Sequence, residues 1–290
     1  SITTTLRLAK MNLAIRGISA DLGKKAVSTF LDDQHKDLKA DFALMNPPFN
    51  QKGWREDNEL TDDPRWKGFA TPDVSNANYA WILNMVSKLS QNGVGCLLLA
   101  NGALSSDGTD YKIRKELIEK DWVEAIIILP MNMFYSTDIS VTVWVFNKNK
   151  KARSAVKNGK TFEYRDRTGE VLFMDLRQNG TPFEKKYIQF EADERTKIAE
   201  TYHNWQSVNK DSMYKNIKEY CYSATKQEII DKDYSLVASK YIEFDKQTET
   251  IDYDSEMKNI QQELSSILKE EEISKKELLN VMEDLGYGIN

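Results

Sequence analysis

The amino-acid sequence predicts an α/β protein in which buried strands alternate with amphipathic helices. Residues 94–100 form an almost wholly apolar run, as expected of a strand that is covered on both faces of a parallel sheet. A helical stripe at residues 80–89 precedes this run, and a mixed-charge helix at 111–120 follows it. Further apolar runs at 124–129 and 140–147 repeat the strand pattern. This alternation predicts a layered α/β sheet.

The chain opens with a predicted helix. Ile2, Leu6, Ala9 and Leu13 recur at helical spacing on one face, and Gly17 can end the helix as a left-handed cap. The first residue is serine rather than methionine, and no strand precedes the helix. We therefore expect the chain to begin inside a larger domain.

A short apolar run at residues 41–45 predicts a buried strand, which ends abruptly at Asn46, Pro47, Pro48 and Phe49. Proline makes up only about 5% of average sequence, so this tetrapeptide is improbable by chance. Ligands of open α/β sheets bind outside the carboxyl ends of the strands, where the tetrapeptide is expected to lie. A stiff structural turn is the alternative interpretation.

The tetrapeptide has the groups that a planar amine needs. The exocyclic nitrogen of adenine is a poor nucleophile because its lone pair is delocalised into the ring. The Asn46 side-chain oxygen and the Pro47 carbonyl can accept its two N–H groups and shift the nitrogen toward a tetrahedral geometry. The two prolines hold these acceptors fixed, and Phe49 can stack on a base removed from the duplex.

The composition of the chain argues against several other classes of protein. The 290 residues can bury a substantial core, and no apolar run approaches the ~20 residues of a membrane span. Since there is no secretion signal either, we expect a cytoplasmic protein without membrane association. Two cysteines without CxxC spacing and two isolated histidines predict neither a disulfide nor a metal site.

The net charge of −5 is unusual for a protein that grips DNA alone, because cationic side chains supply most non-specific affinity for phosphates. If DNA is the substrate, we expect another subunit to hold it. One basic stretch could lie along a phosphate backbone, with a solvated loop as the alternative. Its cations are Lys148, Lys150, Lys151, Arg153, Lys157 and Lys160.

The pattern changes in the second half of the chain. Residues 161–165 and 170–175 flank a turn-like sequence and predict a hairpin. From about residue 180 the chain is polar and helix-prone. Near the end, a heptad-like apolar stripe and a capping-box pattern at 274–277 predict two helices in a hairpin. The stripe packs either on its own domain or on another subunit, and its residues are Met257, Ile260, Leu264 and Ile267.

Further motifs accompany the tetrapeptide in order. They are Lys10-Met11-Asn12-Leu13, Gly17-Ile18, Ala40-Asp41-Phe42, Asn76-Ala77-Asn78-Tyr79-Ala80-Trp81, Leu99-Ala100-Asn101-Gly102, Ile113-Arg114-Lys115, Leu129-Pro130, Phe134-Tyr135-Ser136-Thr137 and Val171-Leu172-Phe173-Met174-Asp175. In these motifs the chain resembles the modification (methylation, M) subunit of type I restriction-modification systems, a family of N6-adenine DNA methyltransferases. The resemblance covers nearly the whole chain.

The resemblance implies a class I S-adenosylmethionine-dependent methyltransferase sheet, Rossmann-like and lacking its N-terminal strands, with a C-terminal helical region. Residues 1–178 would be the C-terminal part of the catalytic domain, and residues 179–290 a helical region that docks the DNA-specificity subunit. The implied cofactor is S-adenosyl-L-methionine and the substrate is a flipped adenine in DNA. A restriction subunit is the further partner implied in the full complex.

The resemblance also assigns roles to individual residues. For Tyr79 and Trp81, core packing is the expected role. The catalytic group is Asn46, Pro47, Pro48 and Phe49; the aromatic residues beside the flipped base are Phe134 and Tyr135; and the cofactor-binding residues are Ala77 and Asn78.

Two departures from the family concern the cofactor. Its Gly-rich turn and the acidic residue of its second strand are both expected to precede the chain. The Gly93-Val94-Gly95 sequence follows a helix and precedes a strand, which is the reverse of the required order. Ser28-Thr29-Phe30 stands where a further acidic residue is expected.

Two other functions stay open. The same tetrapeptide would suit the side-chain amide of a protein glutamine, although the long C-terminal helices disfavour a glutamine-N5 methyltransferase. A chain without a cofactor loop could also be a non-catalytic assembly module.

Overall fold

A computed structural model of the chain describes residues 3–135, 137–157, 159–184, 186–209, 213–245 and 253–287. The chain divides into two compact units, Ser1–Phe244 and Asp245–Asn290. The first unit holds the central sheet and all the predicted site residues. The second consists mainly of one long helix.

The first half of the chain follows the predicted order of elements, with boundaries that shift by a few residues. Its helices and strands are α1 (Thr3–Ile15), β1 (Ala40–Met45), α2 (Asn78–Ser87), β2 (Leu89–Ala100), α3 (Gly108–Glu119), β3 (Val123–Ile128) and β4 (Val141–Asn147). Short 3₁₀ helices lie at Pro64–Trp66 and Asn101–Leu104. The alternation of helices and strands predicted from sequence periodicity is confirmed.

The remainder of the first unit contains more strands than the sequence predicts. Its elements are β5 (Arg153–Lys157), β6 (Lys160–Tyr164), β7 (Glu170–Asp175), β8 (Thr181–Phe183), β9 (Tyr187–Gln189), α4 (Ala192–Gln206), β10 (Cys221–Thr225), α5 (Lys226–Asp231) and a 3₁₀ helix at Ala238–Lys240. β5 pairs with β6, and β8 with β9, as two small antiparallel ribbons.

The central sheet has six strands in the order β1-β2-β4-β3-β7-β10. β1, β2, β3 and β7 run in one direction, whereas β4 and β10 run in the other. In register, Met45 lies beside Leu97, Ala100 beside Val141, and Ile128 beside Asp175. The loops that follow β1, β2, β3 and β7 therefore open on one edge, which we call the carboxyl edge.

Alternating side chains of the strands build two cores, one on each face of the sheet. In β3, Ile126 belongs to the larger core, which α2 and α3 cover, whereas its neighbour Ala125 belongs to the smaller core. Trp205 of α4 closes the smaller core and is fully buried. The arrangement is a three-layer α/β structure.

α1 has the amphipathic face that its sequence predicts. Leu6, Ala9 and Leu13 are its half-buried residues, and Gly17 follows the helix with a φ of 64°. The fourth predicted member of this face, Ile2, lies outside the described residues. A left-handed glycine satisfies the end of a helix without the steric penalty of a Cβ atom.

The Gly93-Val94-Gly95 sequence lies inside β2. Its glycines therefore serve the packing of the strand and do not form a phosphate-binding turn. A Cβ atom on Gly93 would lie 2.6 Å from the Ala40 carbonyl oxygen, and one on Gly95 would lie 3.0 Å from Met85. The two glycines allow β1 and α2 to approach β2 closely. This location agrees with the sequence analysis, in which the order of helix and strand around the two glycines is the reverse of that required for a Gly-rich cofactor turn.

The expectation that residues 41–45 form a buried strand is half right. β1 is present, but it is the edge strand of the sheet, and Phe42 and Leu44 are 69% and 89% exposed. An apolar run predicts a strand, but burial also requires a covering layer, which the described residues do not supply over these two side chains.

The predicted hairpin of residues 161–175 is wrong. A turn forms at Gly169, where φ is 74°, but it connects two different sheets. β6 pairs with β5 upstream, whereas β7, with five buried residues, lies parallel to β3 in the central sheet. Burial on both faces outweighs the local preference for a hairpin.

The predicted pair of C-terminal helices is a single helix, α6 (Tyr253–Asp284). The capping-box pattern at 274–277 does not interrupt it, because an interior serine costs only about 0.5 kcal/mol among strong helix formers and no glycine or proline intervenes. The helix ends before Gly286, which has a φ of 79°. None of the described helices is both long and apolar enough to cross a bilayer.

The region after residue 180, expected to be helical, also contains strands. β10 returns to the central sheet, antiparallel to β7, so the sheet is completed far beyond residue 178. By its contacts the chain divides after Phe244. The division of function at residue 178 remains a prediction.

Candidate active site

The tetrapeptide lies at the carboxyl edge of the sheet, directly after β1. Asn46 and Pro48 are exposed, Pro47 is buried and Phe49 is half-buried. The Asn46 side chain has no hydrogen-bond partner among the described residues. Because proline fixes its own φ, the peptide corner that carries the Pro47 carbonyl is stiff. The arrangement leaves the Asn46 amide open to a ligand while its neighbour anchors the backbone.

The chain immediately after the tetrapeptide is held by side-chain amides at the start of α2. Asn50 donates its backbone N–H to Oδ1 of Asn78 at 3.0 Å, and its own Oδ1 accepts from Nδ2 of Asn78 at 2.9 Å. Nδ2 of Asn76 donates to the same Asn50 oxygen at 3.1 Å. The Ala77 N–H donates to the Gln51 carbonyl at 2.9 Å. We call residues 46–51 the acceptor loop and these three asparagines the amide cluster.

Both residues predicted to bind the cofactor belong to this junction. Ala77 is completely buried and Asn78 is 2% exposed. The hydrogen bonds between Asn78 and Asn50 engage both ends of the Asn78 side chain. The structure thus brings Ala77 and Asn78 into direct contact with the acceptor loop. Their contact with a cofactor stays a prediction.

The next residues of α2 pack in the core, as predicted. Tyr79 is completely buried, its hydroxyl donates to the Ala103 carbonyl at 2.7 Å, and burial raises its pKa to about 12. The half-buried ring of Trp81 lies 4.3 Å from that of Phe30. The core therefore fixes α2 next to the acceptor loop.

Phe134 and Tyr135 lie on the loop that follows β3 at the same edge. Phe134 is half-buried and forms a β-bridge with Thr137. Tyr135 is 72% exposed, and its ring centroid is 4.7 Å from that of Tyr187 in β9. The β8–β9 ribbon thus supports this second loop.

The two predicted groups share an edge but do not touch. Three interstrand steps of about 4.8 Å separate β1 from β3, which is roughly 14 Å. No hydrogen bond or ring contact links Phe134 or Tyr135 to the tetrapeptide among the described residues. A bound base would have to lie between the two loops for both groups to contact it.

A second polar network at this edge was not predicted from sequence. Thr142 donates to Oδ1 of Asn101 at 2.6 Å, Nδ2 of Asn101 donates to Ser140 at 3.2 Å, and Ser140 donates to the Leu129 carbonyl at 2.6 Å. The network ties the ends of β2 and β3 to the start of β4. The sequence signal for Asn101 was a polar residue directly after a predicted strand. The signal for Asn50 was a polar residue directly after the tetrapeptide.

The predicted phosphate-binding stretch is only partly available to solvent. The Lys150 ammonium is completely buried, pairs with Asp121, and donates to the Val123 and Glu170 carbonyls. Burial lowers the pKa of both Lys150 and Lys148. Lys150 is therefore a structural cation at the opposite edge of the sheet from the tetrapeptide, so its assignment to a phosphate-binding surface is wrong.

The described residues fit the acceptor side of a methyl-transfer site better than the cofactor side. Among them, no Gly-rich turn joins a strand of the central sheet to a following helix. The carboxylate at the end of β7, Asp175, pairs with Arg177 at 2.6 Å. The cavity between α1 and residues 22–35 has about 250 Å³, below the usual ~300–1,000 Å³ of ligand clefts.

The sheet and its carboxyl-edge loops define the class of the protein. A Rossmann-like sheet flanked by helices, with an Asn-Pro-Pro-Phe loop after a parallel strand, is the arrangement of a class I S-adenosylmethionine-dependent methyltransferase. Residues 1–250 match the model of the N-6 DNA Methylase family, and the chain belongs to this family.

The relatives of the chain confirm the resemblance seen in its sequence. The methylase subunit of the type I restriction enzyme HindI from Haemophilus influenzae is 39% identical over 92% of this chain and 56% of its own length. The MjaIX methylase subunit from Methanocaldococcus jannaschii is 30% identical over 97% and 48%. The chain thus spans about half the length of these relatives.

A solved structure shares the fold. The crystal structure of the type I restriction-modification system methyltransferase subunit from Streptococcus thermophilus matches with a TM-score of 0.69 and 27% identity. The match covers 84% of this chain and 47% of that one.

Proposed function

We propose that this chain forms the methyl-acceptor part of a site-specific DNA adenine-N6 methyltransferase of a type I restriction-modification system. The observation that carries the proposal is the exposed Asn46 amide, which lies beside a stiff Pro-Pro corner at the carboxyl end of β1. Membership in the N-6 DNA Methylase family supports it. The target is an adenine rotated out of the duplex.

In this proposal Asn46 and Pro47 act on the amine of the base. Their oxygens accept its two N–H groups, so the nitrogen lone pair leaves conjugation with the ring. As the new N–C bond forms, the methyl C–S bond of the donor would break with its electron pair passing to sulfur, and the nitrogen would become positive until it loses a proton to solvent. The two oxygens would stabilise that charge. Phe49 stacks on the base, and Pro48 keeps the corner rigid. S-adenosylmethionine supplies an already activated methyl group, so no covalent enzyme intermediate is needed.

The other predicted residues keep their proposed roles. Phe134 and Tyr135 would enclose the base from the second loop, Ala77 would contribute to the pocket at the start of α2, and Asn78 would support the acceptor loop beside it. A DNA-specificity subunit would hold the DNA, in agreement with the net charge of −5, and a restriction subunit would complete the assembly.

Asn46→Ala in the complete enzyme tests the proposal. Removal of one preorganised group that stabilises the transition state typically costs about 10²–10³-fold in kcat. We expect at least that loss of labelled methyl incorporation into DNA, with the dissociation constant for S-adenosylmethionine nearly unchanged. Asn92→Ala is the matched control, because Asn92 is an exposed asparagine near the opposite end of β2. Unchanged methylation by Asn46→Ala would contradict the assigned role.

A non-catalytic assembly module is the second candidate, and one observation favours it. α6 exposes apolar side chains along one stripe, including Leu264 at 54% and Ile267 at 55%. Calorimetry of the complete subunit with S-adenosylmethionine separates the candidates, since an assembly module shows no binding. The same labelling experiment distinguishes DNA from a protein glutamine as the methyl acceptor.

A further inference from the structure

The acceptor loop has a defined point of attachment to the rigid core. Asn50 has a φ of 51°, in the left-handed region that asparagine tolerates better than most residues. In this conformation its backbone N–H and its side-chain oxygen both meet Asn78. The pair is reciprocal, because each residue gives the other one donor and one acceptor.

Asn78 is placed to hold the loop and not to hold a ligand. Its side chain is 2% exposed, and both the oxygen and the nitrogen of its amide hydrogen-bond to Asn50. Its backbone N–H donates to Oδ1 of Asn76 at 2.9 Å, so the beginning of α2 is fixed as well. A buried amide that left this pair would lose its partners at a large desolvation cost.

The position of Asn50 influences the position of the groups that are proposed to bind the amine. Three residues separate Asn46 from Asn50, and two of them are prolines with fixed φ angles. A shift of Asn50 is therefore passed along a stiff segment to the Asn46 amide and the Pro47 carbonyl. A misplacement of about 1 Å in such a site can cost roughly 100-fold in rate.

We propose that Asn50 and Asn78 are positioning residues for methyl transfer, and that Asn78 acts through the acceptor loop without touching cofactor or base. This inference rests on the proposed function of the tetrapeptide. It replaces the cofactor contact predicted for Asn78 by an indirect role, and it adds Asn50 as a residue on which the reaction depends.

Asn78→Asp in the complete methyltransferase tests the inference with an almost isosteric change. The substitution keeps an acceptor for the Asn50 N–H but places an oxygen against the Asn50 oxygen. We expect kcat to fall about 10–100-fold, while KM for S-adenosylmethionine changes less than about threefold. Asn92→Asp is the control for the same chemical change on the exposed surface. A raised KM with unchanged kcat would establish a cofactor contact and overturn the inference.

Two variants of Asn50 test the same pair from the loop side, where folding is less at risk. Asn50→Gly keeps the left-handed backbone but removes the side-chain acceptor, and we expect the same 10–100-fold fall in kcat. Asn50→Asp keeps an acceptor oxygen, and we expect activity within about threefold of wild type. Equal losses in both variants, or no loss in either, would contradict a positioning role.

The outcome for Asn46→Ala separates this inference from the proposed function. If Asn46→Ala remains active, the proposed function fails, whatever the Asn50 variants do. If Asn46→Ala is inactive while Asn78→Asp and Asn50→Gly match wild type, only the positioning role fails.

Discussion

The completely buried ion pair between Glu124 and Arg167 predicts a large and non-additive effect on stability. Both side chains have no exposed surface. Oε1 of Glu124 accepts from Nε of Arg167 at 3.0 Å and from Gln206 at 3.0 Å. Glu124→Leu leaves the guanidinium as an uncompensated buried cation. Breaking such a pair typically costs about 3–5 kcal/mol of the free energy of unfolding.

The expected fall in Tm follows from this loss of free energy and from the size of the unit that unfolds. The unit that contains the pair runs from Ser1 to Phe244. At about 2.1 cal/mol/K per residue, its unfolding entropy is about 0.5 kcal/mol/K, so a loss of 3–5 kcal/mol lowers Tm by about 6–10 °C. When Glu124→Leu is combined with Arg167→Met, no unpaired charge remains, and we expect the double variant to lose less than either single variant.

Thermal unfolding followed by circular dichroism at neutral pH measures all three variants. A single-variant loss below about 1 kcal/mol, or a double-variant loss equal to the sum of the single losses, would refute the reasoning. Glu124 lies four residues before the carboxyl end of β3, about 13 Å from that edge. Well below Tm, the kcat of the complete enzyme should therefore stay unchanged.

Two further predictions concern packing and pH. Gly93→Ala should lower the free energy of unfolding by about 2 kcal/mol or more in urea titrations, because the new Cβ atom would lie 2.6 Å from the Ala40 carbonyl oxygen. Gly102→Ala, which meets nothing within 4 Å, should cost less than about 1 kcal/mol; equal losses would exclude the close contact as the cause. Burial raises the pKa of Asp110 from 3.8 to about 6, so its contribution to stability is greatest at acid pH and is lost as pH rises through about 6. Asp110→Asn should therefore gain about 1 kcal/mol at pH 7.5 and almost nothing near pH 4, whereas an equal gain at both would show that ionisation is not responsible.

The sequence predicted the elements that a local pattern encodes. The periodicities around β2, β3, β4 and α3 identified these elements with small errors in their ends. The Asn46 tetrapeptide was placed correctly after a strand, because prolines and a preceding apolar run are local signals. The helical face of α1 followed from spacing alone.

The errors concern contacts between distant segments. The Lys150 ammonium is buried because Asp121 and two carbonyls converge on it, and none of these partners is visible in a basic run. The predicted hairpin failed because β7 finds a better-buried partner in β3. Asn50 escaped notice since its partner Asn78 lies 28 residues away.

The sequence by itself determined the alternation of helices and strands, the family, and the position of the tetrapeptide of the candidate site. These properties depend on neighbouring residues, through side-chain periodicity and fixed backbone angles. Only the tertiary structure decided which strands pair, which cations are buried, and that Asn78 faces the acceptor loop. Strand pairing, the burial of a cation and the position of Asn78 each depend on contacts between segments that are distant in the sequence. A buried polar group hydrogen-bonds to the partner that the fold places beside it.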